Sequence, residues 1–396
     1  MGFLTFFMVA FMPVLLTLLL ASVGLIFAMD RINLLGPTVR HNLNNLVYYV
    51  FNPCLMAAYL AKTISLDAMI EMWFMPVNIL IAFVIGSAFG WVLIKITKPP
   101  PHLQGVVIGC CTAGNLRNLP HILIPAICNE PKSPFGEYSI CMVDGAAYVS
   151  ITMAVAGIYT WSYVYIIMKR LAEKNNEVDT HHSVVTIGSS SEASDLTETL
   201  LNSTVGGLVS MSEKIENGAL RFINTLTSIN LRMLFTPTNI GVITGLVIGV
   251  APFLKNLVVG SNAPLRIIYS ASDILGGTTV PCVTLVLGAN LLKGLRRSGL
   301  SALLIIGVIM VRFVALPLLG IVVVRAAHHL GMVGPKPFYR FVLMFQFAVP
   351  PAMQVGTISQ LFETGEGECS VIMLWTYIVA TLAVTFWSTL FMWLVI

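Results

Sequence analysis

Apolar runs of about twenty residues recur ten times along the chain, divided by short polar segments and one long polar stretch. A bilayer core takes roughly 20 helical residues to cross. The pattern therefore predicts ten membrane-spanning helices, at about 6–28, 39–61, 73–96, 103–128, 139–168, 237–257, 264–292, 300–325, 338–362 and 369–394. The fourth and ninth runs are interrupted at mid-depth. The fourth carries Gly114-Asn115-Leu116-Arg117-Asn118-Leu119-Pro120, and the ninth Gln346-Phe347-Ala348-Val349-Pro350-Pro351-Ala352-Met353-Gln354. Proline offers no amide and disfavours helix in the residue before it, so both runs are expected to be broken helices. Unpartnered backbone groups are costly in hydrocarbon, so such a break persists only against protein or beside a cavity. Matched breaks in two halves point to the substrate site of a carrier.

The spacing also contains a repeat. Pro53 and Pro281 lie 228 residues apart, Pro120 and Pro350 lie 230 apart, and the starts of the first five runs recur about 229 residues on. Five is odd, so the two halves must cross in opposite senses, the inverted-repeat plan of secondary carriers. The expected organisation is a first repeat over 1–168, a loop over 169–236 and a second repeat over 237–396. Within the loop, 173–204 is polar and Ser-rich and reads as disordered. Met211, Ile215, Ala219, Phe222, Leu226, Ile229 and Met233 then recur at helical spacing, which predicts an amphipathic helix lying on the membrane.

Composition narrows the class. Hydrophobic residues make up 57% of the chain and charged residues 10%, against about 25% charge in soluble domains, so the fold class is an all-α polytopic membrane protein. The first run lacks a basic leader and is too long for a cleavable signal. Thirteen Lys and Arg fall on the loops after runs 1, 3, 5, 7 and 9 and seven on the opposite side, which predicts a cytosolic central loop and lumenal or outer termini. The Asn202-Ser203-Thr204 sequon would then carry no glycan. The seven cysteines mostly sit inside apolar runs and read as buried small hydrophobes, with no disulfide framework or metal site expected. No HExxH, paired-Asp or GxSx nucleophile motif sits at depth, so neither an enzyme nor a cofactor is expected, and nothing points to nucleic acid.

The chemistry concentrates at the breaks. Asn118 suits an N-cap and Pro120 the first turn of a following half-helix, while the second half-helix of the ninth run is expected to start at Pro350 or Pro351. Each such start offers free amides and about +0.5 of partial charge, so two meeting near mid-membrane form an anion site. Asn115, Asn118, Gln346 and Gln354 add amides that can donate to a carboxylate. Alternatively, these amides only satisfy the broken backbone. Arg117 must pair or face water at this depth. It either clamps a substrate carboxylate or, the favoured reading, pairs with Asp144 or Asp273. His121 and His328-His329 could relay protons or be plain hydrogen-bonding neighbours. The expected substrate-binding set is Asn115, Arg117, Asn118, Pro120, Gln346, Pro350, Pro351 and Gln354. Asn52, Pro53, Asp144, Asp273, Thr278 and Pro281 are expected to support it, the last two from the bent Gly276–Pro281 segment.

These motifs carry a resemblance. Gly114–Pro120, Gly276–Leu292 with Leu287-Gly288-Ala289-Asn290-Leu291-Leu292, and Ala348–Thr376 with Pro350-Pro351-Ala352-Met353 and Cys369-Ser370-Val371-Ile372-Met373-Leu374-Trp375 resemble the PIN-LIKES branch of the plant auxin efflux carrier family. The resemblance extends over nearly the whole chain. It implies crossed helices 4 and 9, a scaffold of helices 1, 2, 6 and 7, and elevator-type alternating access. It further implies residence in the endoplasmic reticulum membrane and transport of indole-3-acetic acid or related auxins, limiting their nuclear signalling. Arg117 and Gln354 depart from the family pattern, which commonly has Gly and Asn there. A sodium-coupled organic-anion symporter and a non-transporting auxin receptor are the competing readings; two opposed repeats argue against the receptor. Lipid is the expected surround, and a homodimer is left open.

Overall fold

The computed structural model describes residues 15–16, 18–129, 133–173, 236–260, 262–296 and 300–396. The Ser-rich tract after residue 173, the amphipathic helix expected over 211–233, the Asn202 sequon and the beginning of the first run lie outside the described residues.

Proline in the first turn, where a missing amide costs nothing, starts several helices. The first half comprises α1 (Leu18–Phe27), α2 (Pro37–Leu46), α3 (Asn52–Thr63), α4 (Leu66–Glu71), α5 (Phe74–Thr97), α6 (Pro101–Thr112), α7 (Asn118–Asn129) and α8 (Tyr138–Tyr159). The second half comprises α9 (Pro237–Val250), α10 (Pro252–Val258), α11 (Arg266–Gly277), α12 (Thr279–Arg296), α13 (Ala302–Met310), α14 (Leu316–His329), α15 (Pro337–Phe345), α16 (Gln354–Leu361) and α17 (Glu366–Val395). Helical segments fall at all ten apolar runs. Four are long and apolar enough to cross a membrane unaided: Phe74–Thr97, Tyr138–Glu173, Ala302–His329 and Glu366–Val395. The α9–α10 pair, bent by 106°, makes a fifth if counted as one span. The chain is thus an all-helical polytopic membrane protein.

Three helices contain a single π turn, at Val47–Phe51 between α2 and α3, at Thr160–Val164 after α8, and at Val311–Ala315 between α13 and α14. The first directly precedes Pro53. Widening the helix there, with the Asn52 amide reaching back to Val47 O, accommodates the proline ring without breaking the rod. Pro281 has no such turn; α11 instead ends at Gly277 and α12 begins at Thr279, with Thr278 between them.

Small residues set the tight helix contacts, as expected where lipid tails compete with apolar side chains. A Cβ on Gly241 would lie 2.4 Å from Pro53 O, one on Gly245 2.8 Å from Ala57 O, and one on Gly249 2.8 Å from Leu60 O. That ladder at every fourth residue lays α9 along α3. Gly86 and Gly90 of α5 receive α6 in the same way, at Cys111 and Ile108.

One sequence expectation fails at the cysteines. Cys128, at the end of α7, and Cys141, at the start of α8, form a disulfide across a sequence separation of 13. Both sit in apolar surroundings, which is why they read as packing residues, but the short α7–α8 turn brings their Cα atoms within 5.5 Å. Cys54, Cys110, Cys111, Cys282 and Cys369 are free.

Candidate functional site

The two breaks meet. Between α6 and α7, residues 113–117 leave the helix, and between α15 and α16 so do residues 346–353. Gly114 and Pro351 face each other as an antiparallel bridged pair. The Asn115 amide donates to Pro350 O at 2.7 Å, and the Ala352 amide to Ala113 O at 2.8 Å. Each extended segment thus supplies the partners that the other's lost helical turn would have provided. The match of Pro120 with Pro350 in the sequence is an equivalence of positions in the two halves, a different relation from this contact. The α6 and α15 starts lie 236 residues apart, as do the α7 and α16 starts, whereas the α5 and α13 starts and the α8 and α17 starts lie 228 apart.

Arg312 holds the crossing. It sits in the third π turn, 2% exposed. Its Nη1 donates to Cys111 O at 3.1 Å, and its Nη2 to Val349 O at 2.7 Å and Pro350 O at 3.1 Å. Cys111 lies in the last turn of α6, where carbonyls lack helical partners and carry the negative end of the dipole. A guanidinium is suited to that position. Gly114 lies in its path, since a Cβ there would come within 2.5 Å of Arg312 Nη2 and 2.6 Å of Val349 Cγ2.

Tyr377 of α17 ties the crossing from another side. Its hydroxyl accepts from Asn115 Nδ2 at 2.7 Å and donates to Pro351 O at 3.0 Å. Gln346 is equally committed. Its Nε2 donates to Thr152 Oγ1 at 2.9 Å, and its Oε1 accepts from Asn78 Nδ2 at 2.8 Å. Asn78 Nδ2 also reaches Leu343 O at 3.0 Å, so α5, α8 and the end of α15 are joined by one buried amide network.

The remaining expected residues divide. Pro120, Pro350 and Pro351 are buried at the breaks, and Gln354 is half-buried at the start of α16. That half-helix starts at Gln354 rather than at Pro350 or Pro351, because the prolines and Ala352 are held extended by the bridged pair. Asn118 is the first residue of α7 and not its cap; Arg117 precedes it. The expected pairing of Arg117 with Asp144 or Asp273 is not formed. Asp273 is exposed on α11, and Asp144 lies half-buried one turn from Tyr148. Arg117 is 4% exposed, and its Nε, Nη1 and Nη2 have no hydrogen-bond partner among the described residues. Asn52 is buried and its Oδ1 unpartnered, whereas Pro53 and Thr278 are half-buried and Pro281 is exposed. His328 Nδ1 contacts Val333 O at 3.0 Å in the last turn of α14, which makes the His328-His329 pair a helix-end feature and not a buried relay.

A cavity of about 180 Å³ lies beside the crossing, lined by His41, Asn44, Asn45, Tyr48, Tyr49 and Trp161 together with Thr357, Gln360 and Leu361 of α16. Tyr48 and Trp161 pack with tilted rings, 5.0 Å between centroids, and Asn44 Nδ2 donates to Gln360 Oε1 at 2.8 Å. A smaller cavity of about 40 Å³ shares Asn44 and Thr357 and reaches Met353 and Gly356 at the first turn of α16. The first π turn gives the larger cavity Tyr48 and Tyr49 and the second gives it Trp161, while the third carries Arg312 to the crossing. Such turns cluster at functional positions because they re-aim side chains without ending a helix. Sequence reasoning missed Tyr377, Asn78 and the cavity residues; Arg312 was visible as a charge inside a span.

Broken helices crossing inside a polytopic bundle, beside an aromatic cavity, define a membrane transporter. Comparison with known proteins agrees. The family described as "Membrane transport protein" matches residues 9–388. The chain is 45% identical to Protein PIN-LIKES 3 of Arabidopsis thaliana, over 99% of both chains. It is 44% identical to Protein PIN-LIKES 1 of the same plant, over 100% of this chain and 81% of that one, and 41% identical to Protein PIN-LIKES 5 over 100% of both. The chain belongs to the PIN-LIKES branch of the plant auxin efflux carrier family.

Proposed function

We propose that the protein carries auxin-like aromatic carboxylates across the endoplasmic reticulum membrane by elevator-type alternating access. The observation that carries this reading is the joining of two features at one place. The first turn of α16, the positive end of that half-helix, borders the smaller cavity, which shares Asn44 and Thr357 with the larger one walled by Tyr48, Tyr49 and Trp161. A carboxylate suits the amide end, and a flat indole-sized ring suits the aromatic wall. In this reading the chain crosses ten times, as two inverted repeats over 1–168 and 237–396, with the loop between them cytosolic. The helices around 6–28, 39–61 and 237–292 form a scaffold against which the crossing moves. The charge bias puts His41, Gln360 and the end of α16 toward the cytosol, so the cavity corresponds to a cytosol-facing state.

A uniporter suffices for this chemistry, because moving one charge through 100 mV is worth about 2.3 kcal/mol. The test is flux of radiolabelled indole-3-acetate into liposomes holding the purified protein, with sodium and with choline in its place. Saturable flux in both salts supports the reading. Flux only with sodium moves the protein to a coupled symporter. No flux of any aromatic carboxylate, with the label still bound, makes it a receptor.

A further inference from the structure

We infer that Arg117 and the start of α7 form a binding site for a small monovalent anion, on the side of the crossing that faces α8 and α9. Arg117 immediately precedes α7 and is 4% exposed, yet none of its three nitrogens has a partner. A guanidinium does not give up its proton in a protein, and an isolated buried ion is penalised far more than a neutral polar group. Arg312 shows how this protein treats another equally buried cation, surrounding it with three carbonyl oxygens. No described carboxylate does this for Arg117. Glu71 is engaged by Lys336 at 2.6 Å, and Asp273 points to the outside.

The surroundings of Arg117 supply more donors. A Cβ on Gly157 of α8 would lie 3.3 Å from Arg117 Nη2 and 4.0 Å from Thr238 Cγ2. The absence of a side chain at 157 is therefore what lets the guanidinium and the start of α9 come together. Thr238 is fully buried, and its hydroxyl has no partner. His121 stands one turn into α7, four residues after Arg117, and its Nδ1 is also unpartnered. The first amides of α7, a helix of 12 residues, add their dipole to the same spot. Donors from α7 and α9 and one full positive charge match a single negative charge: a halide, or the carboxylate head of an organic anion. The site stands whether or not the protein carries auxin.

The test uses full-length protein melted in detergent, in a bulky sulfonate buffer at fixed ionic strength, with sodium chloride or sodium acetate titrated in. Binding to the native state alone makes the melting temperature depend on the anion's concentration. A saturable rise with chloride assigns a resident halide. A rise with acetate alone assigns a carboxylate head group. R117Q is expected to melt no lower than wild type in the sulfonate buffer and to show neither rise, because it removes a cation that had no partner. T238V keeps the charge and is expected to raise the half-saturating anion concentration several-fold. A wild type that melts alike in all three salts overturns the site, as does a rise that survives in R117Q. Because melting needs no flux, a failed auxin assay leaves this result readable.

Discussion

Replacing Arg312 by Gln tests whether the crossing depends on one guanidinium. The side chain gives hydrogen bonds to Cys111 O, Val349 O and Pro350 O. Pro350 O keeps the Asn115 amide at 2.7 Å, so the substitution takes the guanidinium donor from two carbonyls that a shorter amide cannot reach together. Stranding a buried acceptor costs about 1–3 kcal/mol, which makes about 2–6 kcal/mol for the two. Removing the ion returns part of this, because its own burial is unfavourable and its Nε is unpartnered. A net loss of about 3 kcal/mol is expected. Thermal unfolding of the purified protein, followed by maleimide-dye reaction with buried Cys110 and Cys111, reads this directly. Transport is expected to vanish in R312Q even below its melting temperature, and R312K, which keeps the charge but not the fork, should recover little of it. An R312Q protein that melts and transports like wild type would refute the assignment of Arg312 as the crossing's tie.

Other substitutions probe neighbouring parts. Y377F keeps the ring but loses the hydroxyl that bridges Asn115 and Pro351; it should cost about 1–3 kcal/mol in the same melt. G114A drives a methyl into Arg312 and Val349 and should cost about 1–3 kcal/mol by overpacking, with flux falling more than stability. Cys128→Ser removes a bond that closes a short loop and should cost about 3 kcal/mol; maleimide labelling of Cys141 before and after reduction shows whether the bond existed. Replacing Pro350 and Pro351 together with Ala gives two buried amides no established partner, and should abolish transport while the protein still inserts and is recovered from membranes.

The breaks were legible because proline and mid-span polar residues announce them whatever the tertiary fold does. Their pairing was legible only in outline. The spacing matched Pro120 with Pro350 as equivalent positions of the two halves, not as neighbours; that Gly114 faces Pro351 was not legible, because no local property of a glycine tells which residue will face it. Gln346 read as a substrate amide, but its partners, Asn78 and Thr152, come from two other helices. Arg117 was assigned an internal carboxylate because burial demands one, yet Asp144 and Asp273 lie on other surfaces. Tyr48 and Trp161 looked like ordinary apolar-span aromatics; only the π turns that carry them make a cavity wall of them. The Cys128–Cys141 pair escaped because spacing alone cannot separate a packed thiol from a bonded one.

A π turn holds one residue more than the α-helix on either side of it. Deleting a residue elsewhere in a span turns everything beyond it by about 100° and scrambles the packing. Deleting one at 160–164 instead lets the rod close into ordinary helix with both flanks still in phase, whereas at 47–51 and 311–315 the same closure would set Pro53 and Pro317 against a regular turn. The second π turn is therefore the seam at which a chain of this architecture can lose a residue inside the bilayer and keep its shape. A protein shortened there would be expected to assemble normally and yet present a different wall to whatever enters it.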